Sequence, residues 1–178
     1  MPAANLPDVT NELREAPHDS APKAVGRDRR ESEQLITDWE QETQRLGRAL
    51  ALMTLDFSAM MGPKWAHRFV IAVSPVVEDW SFLFYGAKFA ALMELPETPD
   101  HSVPMVAQLP ARYVPVFTNG GIASTLSSVA VRLQGAIDRE DGRRELYRAA
   151  FIAFRPEPNR RQNFALGAFN CRVAERRT

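Results

Sequence analysis

Between residues 125 and 173 the chain runs through three stretches whose alternate side chains sort into one aromatic, small-residue set and one arginine-bearing set. An alternation of period two fits a β-strand and no helix, so the last third is predicted to form three consecutive antiparallel strands. One face collects Val129, Val131 and Leu133, then Tyr147, Ala149, Phe151 and Ala153, then Ala165, Gly167, Phe169, Cys171 and Val173. The opposite face collects Arg132, Gln134, Arg148, Ile152, Phe154, Leu166, Asn170 and Arg172. Asp141-Gly142 supplies the residue types for a tight reversal, and 156–162 a longer second loop. The first face mixes aromatics with Ala and Gly, leaving space for helices or a ligand. The second is apolar at one end and arginine-bearing at the other, so part of it needs a cover.

The natural cover is an amphipathic helix predicted over 31–60. Ile36, Trp39, Thr43, Leu46, Leu50, Met53, Phe57 and Met60 follow one another in steps of three and four. The stripe is heptad-like and suits a dimerising or signal-relaying helix with Trp39, Leu46, Leu50 and Met53 at the interface. Leu35, Ala49 and Leu52 widen it, which suits a helix packed on its own domain, and Asp56 or Ser58 could cap a new short helix near its end. Residues 1–30, with Pro2, Pro7, Pro17 and Pro22 among small and charged residues, are expected to be a disordered tail. The predicted organisation is therefore a tail over 1–30, a leading helix region over 31–61 and a domain over 62–174.

Within that domain, strands are predicted over 67–73 and 79–85 around a turn at Ser74-Pro75. Trp80, Phe82 and Phe84 fall on one side of the second, with Leu83 and Tyr85 on the other. A helix follows over 87–95. Five prolines between 96 and 115 predict loop and short turns, with one helix around 105–117, and Asn119-Gly120-Gly121 reads as the turn closing this crossover.

A net charge of +0 gives no electrostatic footprint for nucleic acid or an anionic membrane. No apolar run nears the length of a bilayer span and the first residues lack a secretory pattern, so the expected location is cytoplasmic. One cysteine, Cys171, excludes an intrachain disulfide and a thiolate-rich metal site. There is no Gly-x-Ser-x-Gly elbow, no phosphate-binding loop ending in Lys-Ser or Lys-Thr and no His-Glu-x-x-His pair.

The order helix, strand, strand, short helices and three antiparallel strands resembles the PAS sensory domain, and in particular the PAS-like family of alphaproteobacteria in which a Trp-Glu helix precedes the sheet. Trp39-Glu40, His67-Arg68-Phe69-Val70, Phe84-Tyr85-Gly86, Leu146-Tyr147-Arg148-Ala149 and Leu166-Gly167-Ala168-Phe169 carry the resemblance, which spans about 35–173. It implies an α+β fold with a five-stranded antiparallel sheet flanked by short helices, a small pocket on the concave face and a homodimer formed through the leading helix. The implied work is that of a stand-alone, non-catalytic sensor or protein-interaction module in signal transduction, acting through a signalling partner.

Candidate site residues follow from the faces. Val131, Tyr147, Phe151 and Phe169 would line a small-molecule pocket, or else form plain core. No cofactor is named by the sequence. A haem would need an axial ligand, for which His101 in the crossover is the candidate, set against a solvated loop histidine. Cys171 on the last strand reads as a small apolar filler. Arg148 would anchor an anion or a partner carboxylate, or pair on the outer face, with Arg132 or Arg172 nearby and Asp138 or Glu145 as acids. The alternative to a sensor is a small cone-shaped α+β enzyme with a buried acid–base pocket, for which Tyr85, Tyr113 and Asp56 are the candidates.

Overall fold

The computed structural model describes residues 29–47, 62–127, 129–154 and 163–174. In chain order they form α1 (Arg29–Leu46), β1 (Arg68–Val73), β2 (Ser81–Tyr85), α2 (Ala87–Met93), α3 (Met105–Gln108), α4 (Val114–Thr125), β3 (Val131–Asp138), β4 (Arg144–Ala153) and β5 (Asn163–Val173), with single 3-10 turns at Pro63–Trp65 and Val77–Asp79. The five strands make one antiparallel sheet in the order β2-β1-β5-β4-β3. This is the α+β, PAS-like architecture implied by the sequence: α2, α3 and α4 fill the crossover between the two strand groups and lie on one face, while α1 lies on the other.

The buried, flanked position of β1 explains its composition. All six residues of Arg-Phe-Val-Ile-Ala-Val are buried, because odd and even side chains feed two different cores. Phe69, Ile71 and Val73 enter the inner core with Phe82, Phe89, Phe117, Phe151 and Phe169. Val70 and Ala72 enter the outer core with Leu35, Ile36, Ile152, Phe154 and Leu166. The inner faces predicted for β4 and β5 agree, since Ala149, Phe151, Ala165 and Phe169 are all at most 2% exposed. Each fully buried phenylalanine contributes about 2–3 kcal/mol of transfer free energy.

Two glycines let aromatic rings lie against backbone. A Cβ on Gly167 would sit 2.1 Å from Cζ of Phe69, its partner across the β1–β5 ladder. A Cβ on Gly120 would sit 2.2 Å from Cε2 of Phe151. Gly120 and Gly121 therefore do not form the expected turn: both lie inside α4 and are buried. Their missing side chains let the helix approach the sheet and Trp80 closely enough to fill the inner core. The single helix expected around 105–117 is likewise two, α3 and α4, parted by Pro110 and the turn that Tyr113 closes on Pro110 O.

Three further expectations are corrected. The leading helix ends at Leu46, where Gly47 adopts a φ of +66° suited to a helix stop. Leu50, Met53, Asp56, Phe57 and Met60 lie outside the described residues, as do 1–28 of the tail expected over 1–30 and the second loop expected over 156–162. The strand expected over 79–85 starts at Ser81, because Asp79 belongs to the 3-10 turn and Trp80 caps it. Its alternation is also broken. Phe84 faces Val70 and Phe82 faces Ile71, so Leu83 is the extra residue of a bulge. Consequently Phe82 and Tyr85 enter the inner core while Leu83 and Phe84 both pack on the outer one.

Candidate functional site

The outer face is assembled around α1. Leu35 and Ile36 are 1% and 2% exposed, and the half-buried Trp39 meets the Phe154 ring edge-on with centroids 5.5 Å apart. Leu46, at the helix end, packs on the same core. One turn along from Leu35, Asp38 accepts from Arg68 Nη2 at 2.6 Å, from Gln34 Nε2 at 2.9 Å (through its other oxygen) and from Lys64 Nζ at 3.0 Å. Arg68 is 3% exposed and its guanidinium also lies 5.5 Å from the Trp65 ring centroid. Burial alone pushes the Asp38 carboxyl up, but the bonds from Arg68, Gln34 and Lys64 outweigh it and hold the group below its ordinary range. This contact ties α1 to the first strand, 30 residues away in sequence.

Asp38→Asn is expected to lower stability by about 3 kcal/mol, because it leaves the buried Arg68 cation without its counter-charge. Since the folded-state pKa is depressed, the contribution of Asp38 is complete above its unfolded value of about 3.9 and fades as pH falls below it. Urea midpoints of the two proteins should therefore converge as the solution is acidified.

Cross-strand register divides the rest of the outer face into rows. Arg132, Ala150, Ala168 and Arg68 form one row, partly under α1, with Arg132 Nε 3.6 Å from Glu33 of the helix. Beyond it come Gln134, Arg148 and Asn170, then Ala136, Leu146 and Arg172. A groove of about 240 Å³ follows the helix edge past Ser32, Glu33, Arg132, Gln134 and Arg148. The expected ion pairs on this face are not made as predicted. Asp138 binds Arg144 at 3.0 Å, and Glu145 belongs to the other face, so Arg148 and Arg172 have no ion pair among the described residues.

Glu145 is the polar centre that the residue patterns did not disclose. It is 4% exposed and sits at the inner edge of the sheet, beneath the β3–β4 hairpin. It accepts from Arg139 Nη1 at 2.6 Å, from Arg112 Nε at 3.2 Å and from the hydroxyl of Tyr113, which is itself 3.4 Å from Cys171 Sγ. Burial pushes the Glu145 carboxyl up, but the hydroxyl of Tyr113 and the two arginines prevail and hold it low. Burial, with the bonds to Cys171 and Glu145, pushes the Tyr113 phenol far up. Burial also raises the Cys171 thiol, which therefore stays protonated at neutral pH. The signal for Glu145 was present, because it precedes Tyr147 and Ala149 at the same period and so shares their face.

The four residues singled out for a pocket lie together on the inner face. Phe151 and Phe169 are fully buried, and Phe117 of α4 packs on both with centroids 5.9 Å and 5.4 Å away. Tyr147 stacks on Phe169 at 6.2 Å, and Val131 borders the same core. Of the enzyme candidates, Tyr85 is 3% exposed with no hydrogen-bond partner for its hydroxyl among the described residues, and Tyr113 belongs to the Glu145 cluster, so the two do not share a site. His101 is exposed, and its Nδ1 lies 2.8 Å from Phe82 O on the edge strand. Among the described residues no cluster of His, Cys, Asp and Glu could hold a metal ion, and no helix is long and apolar enough to cross a membrane.

No protein-family model matches the chain, and no curated protein matches it. Among solved structures it is similar to the PAS domain of an HTR-like protein from Haloarcula marismortui, at 12% identity and a TM-score of 0.35, covering 80% of this chain and 99% of that one. It is also similar to a fungal LOV domain photoreceptor, at 11% identity, a TM-score of 0.40, and coverage of 74% and 88%. The light-state dimer of the fungal blue-light photoreceptor Vivid matches at 14% identity, a TM-score of 0.38, and coverage of 85% and 97%. The fold assignment rests on the strand order and register of this chain rather than on these likenesses.

Proposed function

We propose that the protein is a PAS-like module of signal transduction, of the alphaproteobacterial type with a Trp-Glu leading helix, working in the cytoplasm by protein interaction and without chemistry of its own. The observation that carries this reading is the unequal filling of the two faces. The inner face is closed by interlocked phenylalanine rings, whereas among the described residues the outer face is covered by one helix, α1, held by a few apolar side chains and three ion pairs, from Asp38 to Arg68 and Lys64 and from Glu33 to Arg132. The element whose position can change at least cost is therefore α1. Seating or release of α1 would alter the surface offered to a signalling partner, and a partner that binds one arrangement better shifts the balance toward it.

In this proposal the protein is a homodimer through the leading helix region, with Trp39, Leu46, Leu50 and Met53 at the interface. Trp39 and Leu46 are half-buried against the outer core, which leaves part of each side chain for a second copy. A small-molecule ligand at Val131, Tyr147, Phe151 and Phe169 would have to displace Phe117, so protein interaction is the better-supported form of the reading. The enzyme alternative is weaker, because Glu145 is a poor base while two arginines and a tyrosine hydroxyl hold its charge.

Sedimentation velocity tests the dimer. The wild-type chain should sediment as a dimer, and Leu46→Glu with Leu50→Glu should give a monomer whose sheet remains folded by circular dichroism. A wild-type monomer across the micromolar range would sink this part of the proposal.

A further inference from the structure

We infer that the part of the outer face that no described element covers, centred on Leu146, Arg148 and Arg172, is a docking strip for an acidic amphipathic segment of a partner protein. The three residues are exposed on adjacent rows of β4 and β5, with Leu146 37% exposed between the two arginines. Gln134 and Ala136 of β3 extend the strip toward the sheet edge and are also exposed.

The occupant is read from how the same face is covered one row away. There an amphipathic helix lays apolar side chains on the sheet and sets an acid against each arginine it meets, Glu33 on Arg132 and Asp38 on Arg68. The open rows repeat the sheet's half of that pattern: an exposed apolar side chain flanked by arginines with no acid opposite them among the described residues. Asp138, at the end of the strip, is already bound to Arg144. The groove along the edge of α1 continues into the strip at Arg148, so a second segment could lie beside α1.

Two other occupants fit less well. A second copy pairing through the same strip about a two-fold axis would bring arginines against arginines, a repulsive arrangement. A nucleic acid calls for a broader basic stripe than two arginines in a chain of net charge +0.

The inference rests on the reading of the domain as an interaction module, but it fails separately, since neither α1 release nor dimer formation depends on an acidic partner. The probe is a fluorescein-labelled amphipathic peptide with leucines at helical spacing and glutamates along both edges, compared with the same peptide carrying lysines. Fluorescence anisotropy at low salt should show binding of the glutamate peptide only, weakening as salt is added. Arg148→Glu with Arg172→Glu should reduce that affinity more than about tenfold, with an unchanged melting temperature showing that the fold is intact. Absence of binding, equal binding of both peptides, or indifference to the double variant would overturn the inference. So would tighter binding of a single-stranded oligonucleotide, or self-association abolished by the same variant, each of which assigns the strip to another occupant.

Discussion

Gly120→Ala is expected to lower the unfolding free energy by about 2–3 kcal/mol, the cost of forcing a methyl group into a packed core. Alanine is the better helix former by about 1 kcal/mol, so on an exposed helix the same change would stabilise. Here the new Cβ would meet three atoms of the Phe151 ring at 2.2, 2.4 and 2.6 Å. The ring has no room to withdraw, because Phe69 and Phe117 pack on it with centroids 5.4 Å and 5.9 Å away. Gly120→Leu should leave the inner core unable to close. A double-mutant cycle separates this account from a general helix effect. On a Phe151→Leu background Gly120→Ala should cost much less, whereas equal costs on both backgrounds would show that the ring is not the obstacle.

The second large effect is expected at Glu145. Glu145→Gln keeps the shape but removes the charge that joins Arg112, Arg139 and the buried Tyr113, and should cost about 3 kcal/mol, the lower end for breaking a buried pair. The sign of its pH dependence follows from the direction of the shift. The folded-state carboxyl is held below its unfolded value of about 4.3, so its contribution is complete above that pH and is lost as pH falls through the folded value. Urea midpoints of wild type and variant should differ most near neutrality and draw together under acid conditions. A constant difference across that range would mean that the charge is not what matters.

These two sites also mark where sequence patterns stop being informative. The period-two alternation of β4 and β5 needs no knowledge of the rest of the fold, and it sorted Phe151, Phe169, Ile152 and Leu166 onto the faces they occupy. The amphipathic stripe through Ile36 and Trp39 likewise matched α1 to the apolar half of the outer face. Gly120-Gly121 misled because a glycine pair favours a turn locally, whereas its use here is close approach to Phe151 and Trp80, a tertiary requirement with no local trace. The bulge at Leu83 is a property of the register between two strands, so no reading of one strand contains it. Glu145 was legible in principle, but charge drew it into pairing with Arg148, although the period placed it on the face opposite. The partners that bury it, Arg112 and Tyr113, come from the turn just before α4, which only the folded crossover brings near.

Residue-resolved hydrogen exchange under native conditions measures the central claim, that α1 is a releasable cover on an otherwise fixed domain. Amides of α1 should exchange through an opening of clearly lower free energy than those of β1, β4 and β5. In Ile36→Glu, protection should vanish from α1 and persist in the sheet. A single common free energy for helix and sheet, or loss of both in Ile36→Glu, would contradict the account and make α1 a fixed part of the core.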